Sequence, residues 1–433
     1  MKHLLEKALH CLPQSSLALF FNRSSGAVSV ALAIVVMLIA VAPQPAQAQT
    51  FSVLHTFTGG ADGGNPDAGL TWDKAGNLYG TAHGYGSGGH GTVYRLTHGD
   101  SGWAFSPLYA WSGGVGGAAP LARVVFGPNG ILYGTTTVYD YGTVFNLRPP
   151  ATAACKTLLC PWTETVLHTF EILDGDYPGY GDLLFDQAGN IYGTTTFGGS
   201  SRLGTVYELT PSGTESVLYS FAGSDGETPE NGLIFDNAGD LYGTTANGGG
   251  SGCNGSGCGT VFELMPANGA WTQCTLSNFQ NGNDGVNPYA GLIFDQLGNL
   301  YGGTIGGGTG GSGTVFELTP VGSCTWTLKT LHNFTAGGGE CGPYGTLVMD
   351  GSGNLYGTTK CDGATGNGNV FELAYPNWTY TSLYDFTNGS DGGNPTSNVI
   401  FDASGNLYGT ASTGGNLSCG SGEGCGVVWK ITR

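Results

Sequence analysis

One unit repeated seven times constrains this chain more than any other feature. A Tyr-Gly dipeptide following a Gly-Asn-like turn recurs at Tyr79, Tyr133, Tyr192, Tyr242, Tyr301, Tyr356 and Tyr408, at spacings of 54, 59, 50, 59, 55 and 52 residues. Each copy holds four segments: an apolar run closing on an aromatic or Met, as in Gly291 to Asp295; Leu-Tyr-Gly-Thr-Thr, as at 241–245; Gly-Thr-Val-Phe-Glu-Leu, as at 259–264 and 313–318; and a run that closes on an aromatic, as in Trp326 to Phe334. Segments of about four to eight residues, rich in Val, Ile, Thr, Tyr and Phe and bounded by Gly, Asn, Asp or Pro, are strand signals. Asp-x-x-Gly-Asn between the first two segments, as in Asp186 to Asn190, supplies a tight hairpin because Gly and Asn tolerate positive φ. Four strands in about 55 residues make one propeller blade and are too long for a solenoid coil of about 20–30 residues.

The phase of the repeat predicts a closed ring. The last copy stops after its third strand, near Thr432, whereas FSVLHTF at 51–57 stands alone at the start and nearly duplicates TVLHTF at 165–170. Counted this way, fourth strands fall at 51–57, 104–111, 164–170, 214–221, 273–279, 328–334 and 380–386, one for each Tyr-Gly copy. In a ring, the N-terminal strand completes the last blade and hides an edge that would otherwise invite aggregation. The expected fold is therefore all-β: a seven-bladed β-propeller of four-stranded blades, in a single domain over 49–433.

Composition removes the competing classes. Gly contributes 80 of 433 residues but without a three-residue period, which excludes collagen. Aromatics at 11% against 10% charged residues argue against disorder. A net charge of −18 argues against a nucleic-acid partner, which needs a basic face.

Residues 27–42 form an uncharged run of sixteen, preceded by Lys2, Lys7 and Arg23 and followed by Ala46-Gln47-Ala48. This reads as a secretory signal peptide over 1–48; the run is short for a bilayer, which wants about 20 residues. No membrane span is expected after cleavage. Cleavage would leave 10 basic and 30 acidic residues and ten of the 11 cysteines. An even count in an exported chain favours disulfides. Zinc is the rival, but Cys253/Cys258 and Cys419/Cys425 have no His at coordinating spacing. Those two pairs close second-to-third loops, and Cys155–Cys160 closes a third-to-fourth loop. Cys341 and Cys361 share a blade and a face, which leaves Cys274 for Cys324.

The Gly-x-Leu-Tyr-Gly-Thr-Thr and Gly-Thr-Val-Phe-Glu-Leu units resemble the bacterial tandem-repeat family called GloVer, the choice-of-anchor exported proteins. The Asp-x-x-Gly-Asn-Leu-Tyr hairpin is also similar to NHL-repeat and gluconolactonase-like propellers. The resemblance implies an exported protein, extracellular, periplasmic or displayed at the cell surface, without an assigned activity. Family members carry varied C-terminal sorting signals, and none is recognised here.

In a propeller, the fourth-to-first and second-to-third connections surround the channel mouth, where a site is expected. Asp62-Gly63, Asp174-Gly175, Asp225-Gly226, Asp284-Gly285 and Asp391-Gly392 lie there. Structural calcium is one reading, but none fits an EF-hand pattern and Asp-Gly is an ordinary turn pair. His55, His168 and His332 share a register with Tyr109, Tyr219, Ser277 and Tyr384, which marks an outer packing position rather than a metal set. Asp73, Asp186, Asp236, Asp295, Asp350 and Asp402 read as turn residues on the opposite face. Three positions before the first-strand aromatic, the copies read Gly69, Arg123, Asp182, Gly232, Gly291, Thr346 and Asn398. Departures from the repeat thus point to a ligand site on blades one to three, built from Arg123, Asp182, Tyr139, Tyr141, Tyr180 and Arg202. Arg forks to carboxylates and Tyr offers a ring face and a hydroxyl. The expected partner is a neutral or weakly acidic glycan, or an extracellular protein, bound by a monomer. No catalytic residue, metal ligand or cofactor is assigned, because G-x-S-x-G, H-E-x-x-H and phosphate loops are missing. A hydrolase or lyase acting on a carbohydrate or lactone is the alternative, and a His within reach of two carboxylates at the mouth would favour it.

Overall fold

The computed structural model describes residues 49–150, 162–335 and 338–433; the proposed signal segment and the Cys155–Cys160 pair fall outside them. Seven four-stranded antiparallel sheets form the ring. Blades 1 to 6 use consecutive strands over 71–110, 125–169, 184–220, 234–278, 293–333 and 348–385. Blade 7 combines Ile400–Phe401, Leu407–Ala411 and Val427–Thr432 with the N-terminal strand Thr50–Thr56. Thr50 stands opposite Thr432 and Phe51 opposite Ile431, so the first strand closes the ring as its register predicts.

The Leu-Tyr-Gly-Thr-Thr motif is the joint of every blade. Its Leu is fully buried, as at Leu241 and Leu300. Its Tyr hydroxyl donates to carboxylates of its own blade: Tyr242 to Glu263 (2.6 Å), and Tyr356 to Glu372 (2.9 Å) and Asp350 (3.0 Å). The Tyr ring takes the inner-strand aromatic of the next blade edge-on, as in Tyr192–Phe235 and Tyr242–Phe294, both 5.1 Å between centroids. The Gly lies beneath the third-strand aromatic across the ladder; a Cβ on Gly243 would come 2.6 Å from the Phe262 ring. One Thr latches to the next blade, Thr194 donating to the Asn231 carbonyl (2.9 Å) and Thr358 to that of Ser397 (2.7 Å). The other bonds within the blade, as in Thr245–Thr260 (2.8 Å). The core is thus divided into seven clusters, each shared by neighbouring blades.

Two features depart from the sequence reading. The inner strands pair over only two residues, as in Ile293–Phe294, rather than four or more. Seven chains converge on one axis and their backbones nearly touch: a Cβ on Gly345 would lie 2.4 Å from the Asn398 nitrogen, and one on Gly232 2.8 Å from the Asp182 carbonyl oxygen. The segment before each short ladder therefore crosses the mouth as irregular chain. Secondly, each outer ladder carries a bulge at one position, leaving Leu167, Leu218 and their equivalents unpaired. A bulge re-aims the next side chain, here the His/Tyr position of the outer strand.

Disulfides join Cys253 to Cys258, Cys341 to Cys361, Cys419 to Cys425 and Cys274 to Cys324, with Cα separations of 5.3, 4.7, 5.6 and 5.7 Å. Cys274–Cys324 ties blade 4 to blade 5. Such bonds persist in an oxidising compartment. Among the described residues no helix is long and apolar enough to cross a membrane.

Candidate functional site

The irregular entry segments deliver one residue per blade to the rim of the channel. Five positions before the inner-strand aromatic, the seven copies read Asp67, Leu121, Tyr180, Glu230, Tyr289, Tyr344 and Thr396, and all seven line a cavity of about 500 Å³. Two residues further along each chain comes the ring already noted in the sequence. From it, Arg123, Asp182, Thr346 and Asn398 line both this cavity and a second of about 320 Å³ lower in the channel. The mouth is thus two stacked rings, and the lower ring is its waist.

Charges at the waist are matched to one another. The Arg123 Nε donates to Asp182 Oδ2 at 3.0 Å while its NH2 approaches the same oxygen at 2.7 Å, and its NH1 reaches the Leu70 carbonyl at 3.4 Å. Arg123 of blade 2 therefore ties blade 3 to blade 1. On the rim, Asp67 pairs with His83 Nδ1 at 2.6 Å. Burial disfavours the imidazolium of His83, but the adjacent Asp67 carboxylate outweighs it, and the pKa rises.

Glu230 is different. It is only 9% exposed, and among the described residues a single hydroxyl, that of Thr196, donates to its carboxylate (3.2 Å). Burial pushes its pKa up to about 7, with Thr196 opposing weakly. Tyr180 of blade 3 and Tyr289 of blade 5 stand on the flanking blades. Tyr344 follows, its ring 5.5 Å from that of Tyr289 and its hydroxyl accepting from Lys360 Nζ at 3.3 Å. Tyr177 and Phe197 complete the aromatic lining. Burial first, and then nearby acidic groups, raise the pKa of all four phenols, so at neutral pH each is a neutral hydrogen-bond donor. The cavity offers ring faces, hydroxyls, Asn and Ser side chains and one poorly solvated carboxyl.

Of the six residues singled out in the sequence, Arg123, Asp182 and Tyr180 line this cavity and Tyr139, Tyr141 and Arg202 do not. The latter three sit on exposed second-to-third loops in left-handed backbone. The Tyr139 ring instead lies 5.7 Å from that of His90. The lining is drawn from all seven blades rather than from blades 1 to 3 alone. Glu230, Asp67, Tyr177 and Asn231 went unnoticed, although the register used for Arg123 exposes Glu230 and Asp67 when read two residues upstream.

Four of the five Asp-Gly carboxylates are consumed locally, while Asp174 accepts from the Glu171 amide with Oδ1 (2.6 Å) and turns Oδ2 to His168. Asp62 accepts from the Thr58 amide (2.9 Å) and Asp391 from the Thr387 amide (2.9 Å); Asp225 accepts from the Ala222 amide (2.9 Å) and the Tyr219 hydroxyl. The hairpin acids act likewise: Asp295 Oδ1 accepts from the Leu297 and Asn299 amides (both 2.8 Å). His55, His168 and His332 stand at separate blade junctions on the outer rim.

The Gloeobacter/Verrucomicrobia repeat pattern matches residues 159–273 and 251–433. The chain belongs to this repeat family. None of the curated proteins matches it in sequence. Among solved structures, it is similar to a chain described as the extracellular domain of a one-component system from B. thetaiotaomicron, with 12% identity and a TM-score of 0.52, covering 87% of this chain and 39% of that one. A second ectodomain, from a hybrid two-component system of the same organism, gives 12%, 0.50, 88% and 41%. This repeat-family chain therefore spans about two fifths of either protein. A chain described as a 6-phosphogluconolactonase from Bacteroides uniformis gives 16% identity and a TM-score of 0.48, covering 79% and 89%. At 12% identity the likeness to the two ectodomains speaks for the fold alone.

Proposed function

We propose that this repeat protein is an exported binding module whose channel mouth receives a neutral, hydroxyl-rich ligand, best fitted by a terminal sugar of an extracellular glycan. The observation that carries this is the rim ring, where Tyr180, Tyr289 and Tyr344 accompany Glu230 while Asp67 pairs with His83, Arg123 with Asp182, and Lys360 is held by the Tyr344 hydroxyl. Tyr faces cover sugar C–H surfaces and their hydroxyls exchange hydrogen bonds. Arg123 and His83 are each held by a carboxylate, which leaves Lys360 alone to attract a polyanion, and the overall charge of −18 opposes one. Export fits the disulfides and the signal-like segment. A glycan array with the mature chain tests the reading: Tyr289→Ala and Tyr180→Ala should each abolish the wild-type signal. Binding that survives both places the ligand elsewhere.

A second reading rests on Glu230 itself. A buried carboxyl with a pKa of about 7 is suited to general acid–base chemistry, so hydrolysis or elimination on a bound saccharide or lactone is the alternative. Among the described residues, the His on the rim, His83, pairs with one carboxylate, Asp67. Turnover of a bound glycan that disappears in Glu230→Gln while binding persists would establish the enzyme.

A further inference from the structure

The outer rim repeats a contact that the mouth does not share. At five junctions the His/Tyr position of one outer strand faces the residue four positions earlier in the equivalent register of the next blade. His55 stacks on Phe105 (4.1 Å), His332 on Tyr380 (4.5 Å) and Tyr384 on Phe51 (3.7 Å). Tyr109 donates to Glu164 at 2.7 Å, and Trp111 Nε1 donates to the other oxygen of the same carboxylate at 2.7 Å. These junctions are apolar or fully bonded.

The junction of blades 2 and 3 breaks the pattern. Here His168 faces Glu215, and Asp174 of the connecting turn completes a trio whose three donor atoms all lie within 4.8 Å of one another. His168 Nε2 is 3.2 Å from Asp174 Oδ2, yet off the line a hydrogen bond requires. Both His168 Nε2 and Glu215 Oε1 are sealed from solvent without a hydrogen-bond partner among the described residues. His55, at the equivalent place, does hydrogen-bond Asp62 (3.3 Å) and has an aromatic rather than a carboxylate beyond it. No described Lys or Arg pairs with Asp174 or Glu215. Two carboxylates and an imidazole nitrogen, converging with buried unfilled acceptors, are a donor set for a cation.

We propose that His168, Asp174 and Glu215 form a zinc-type metal site that clips blade 2 to blade 3. Zinc takes imidazole nitrogen and carboxylate oxygen at about 2.0–2.2 Å, so tetrahedral ligand atoms stand about 3.3–3.5 Å apart. The 3.2 Å edge between His168 and Asp174 already has that length, and a Glu215 rotamer change closes the others. With three protein ligands, water takes the fourth position. The second trio of potential donors, Glu263 with Cys274 and Cys324, is closed to metal because its two sulfurs are bonded to each other.

The test is calorimetric titration of the mature chain, thiols alkylated, with Zn²⁺ alone. One zinc per chain and a raised melting temperature are expected. The near-isosteric Glu215→Gln should weaken binding at least about tenfold, since loss even of a supporting group costs about 10–100-fold, and should abolish the thermal shift. His168→Gln should do the same, whereas His55→Gln and Glu164→Gln should bind as wild type. Absence of stoichiometric zinc in the wild type, or undiminished binding in folded Glu215→Gln, overturns the site and leaves a buried ion pair.

Discussion

The two ends of each inner strand carry opposite kinds of information. At the hairpin end, six of seven blades open the turn with Asp, and that carboxylate is filled from within: Asp73 accepts from the Ala75 and Asn77 amides, the Asn77 side chain and the Tyr79 hydroxyl. At the mouth end, the position five residues before the aromatic reads Asp, Leu, Tyr, Glu, Tyr, Tyr and Thr around the ring. Where blade 2 has Gly127 instead, Asn129 takes over, accepting from the Ile131 amide (3.0 Å) and donating to the Tyr133 hydroxyl (2.8 Å), so the donors of the turn still find partners within it. The mouth position has a cavity before it instead of a fixed partner, so its side chains are free to differ and to meet something else. In a closed repeat, invariance within the chain marks scaffold, and variation at one register marks the surface offered to a ligand.

Perturbing either end should separate the two roles. The largest effect is expected from removing Thr50–Thr56, which strips the edge partner from Val427–Thr432; the chain should aggregate or lose its cooperative melt, read by scattering and calorimetry. Glu230→Gln comes next, and its effect depends on pH. The native carboxyl titrates near 7 and the unfolded one near 4.5. Between these values the unfolded state ionises first, so the wild type loses stability as pH rises from 4.5 to 7, and the loss is complete above 7. Gln removes that loss, so the variant should match the wild type at pH 4.5 and exceed it at pH 8 by up to about 3 kcal/mol in urea unfolding. Gly243→Ala, a scaffold change, should cost about 1–3 kcal/mol at any pH because its Cβ meets the Phe262 ring. Smallest is Tyr289→Ala at the mouth: it should change stability by less than about 1 kcal/mol while removing glycan binding. A large fall in its melting temperature would show that the rim is scaffold after all.

The scaffold was legible in the sequence because its physics is local and repeated. Asp295, Gly298 and Asn299 announce their own hairpin, and the orphan strand at 51–57 announces its partner at the far end. The mouth was half legible. Arg123 and Asp182 stand out against Gly69, Gly232 and Gly291 in the same register, but Glu230 sits two residues upstream, where the segment has left the sheet and strand periodicity says nothing about facing. Tyr139 and Tyr141 fall outside the cavity because their loop packs against the neighbouring blades, Tyr139 beside His90 and the Tyr141 carbonyl accepting from the Tyr177 amide. The His168 trio was out of reach for another reason: His168 and Glu215 sit on different blades and meet only through the ring.

Closure by the first strand also sets the order in which the molecule can assemble. Six blades are drawn from contiguous sequence and can form as soon as each is available to the solvent. Blade 7 pairs Thr50 with Thr432, 382 positions apart. That contact has the greatest sequence separation in the ring and gains nothing until both partners are present. A chain made from its N-terminus must therefore hold Phe51 and its neighbours unpaired through the whole of synthesis. Until the final strand arrives, the molecule is an open arc with two raw edges, and the time spent in that state, more than the depth of the finished core, governs how much of it reaches the native ring.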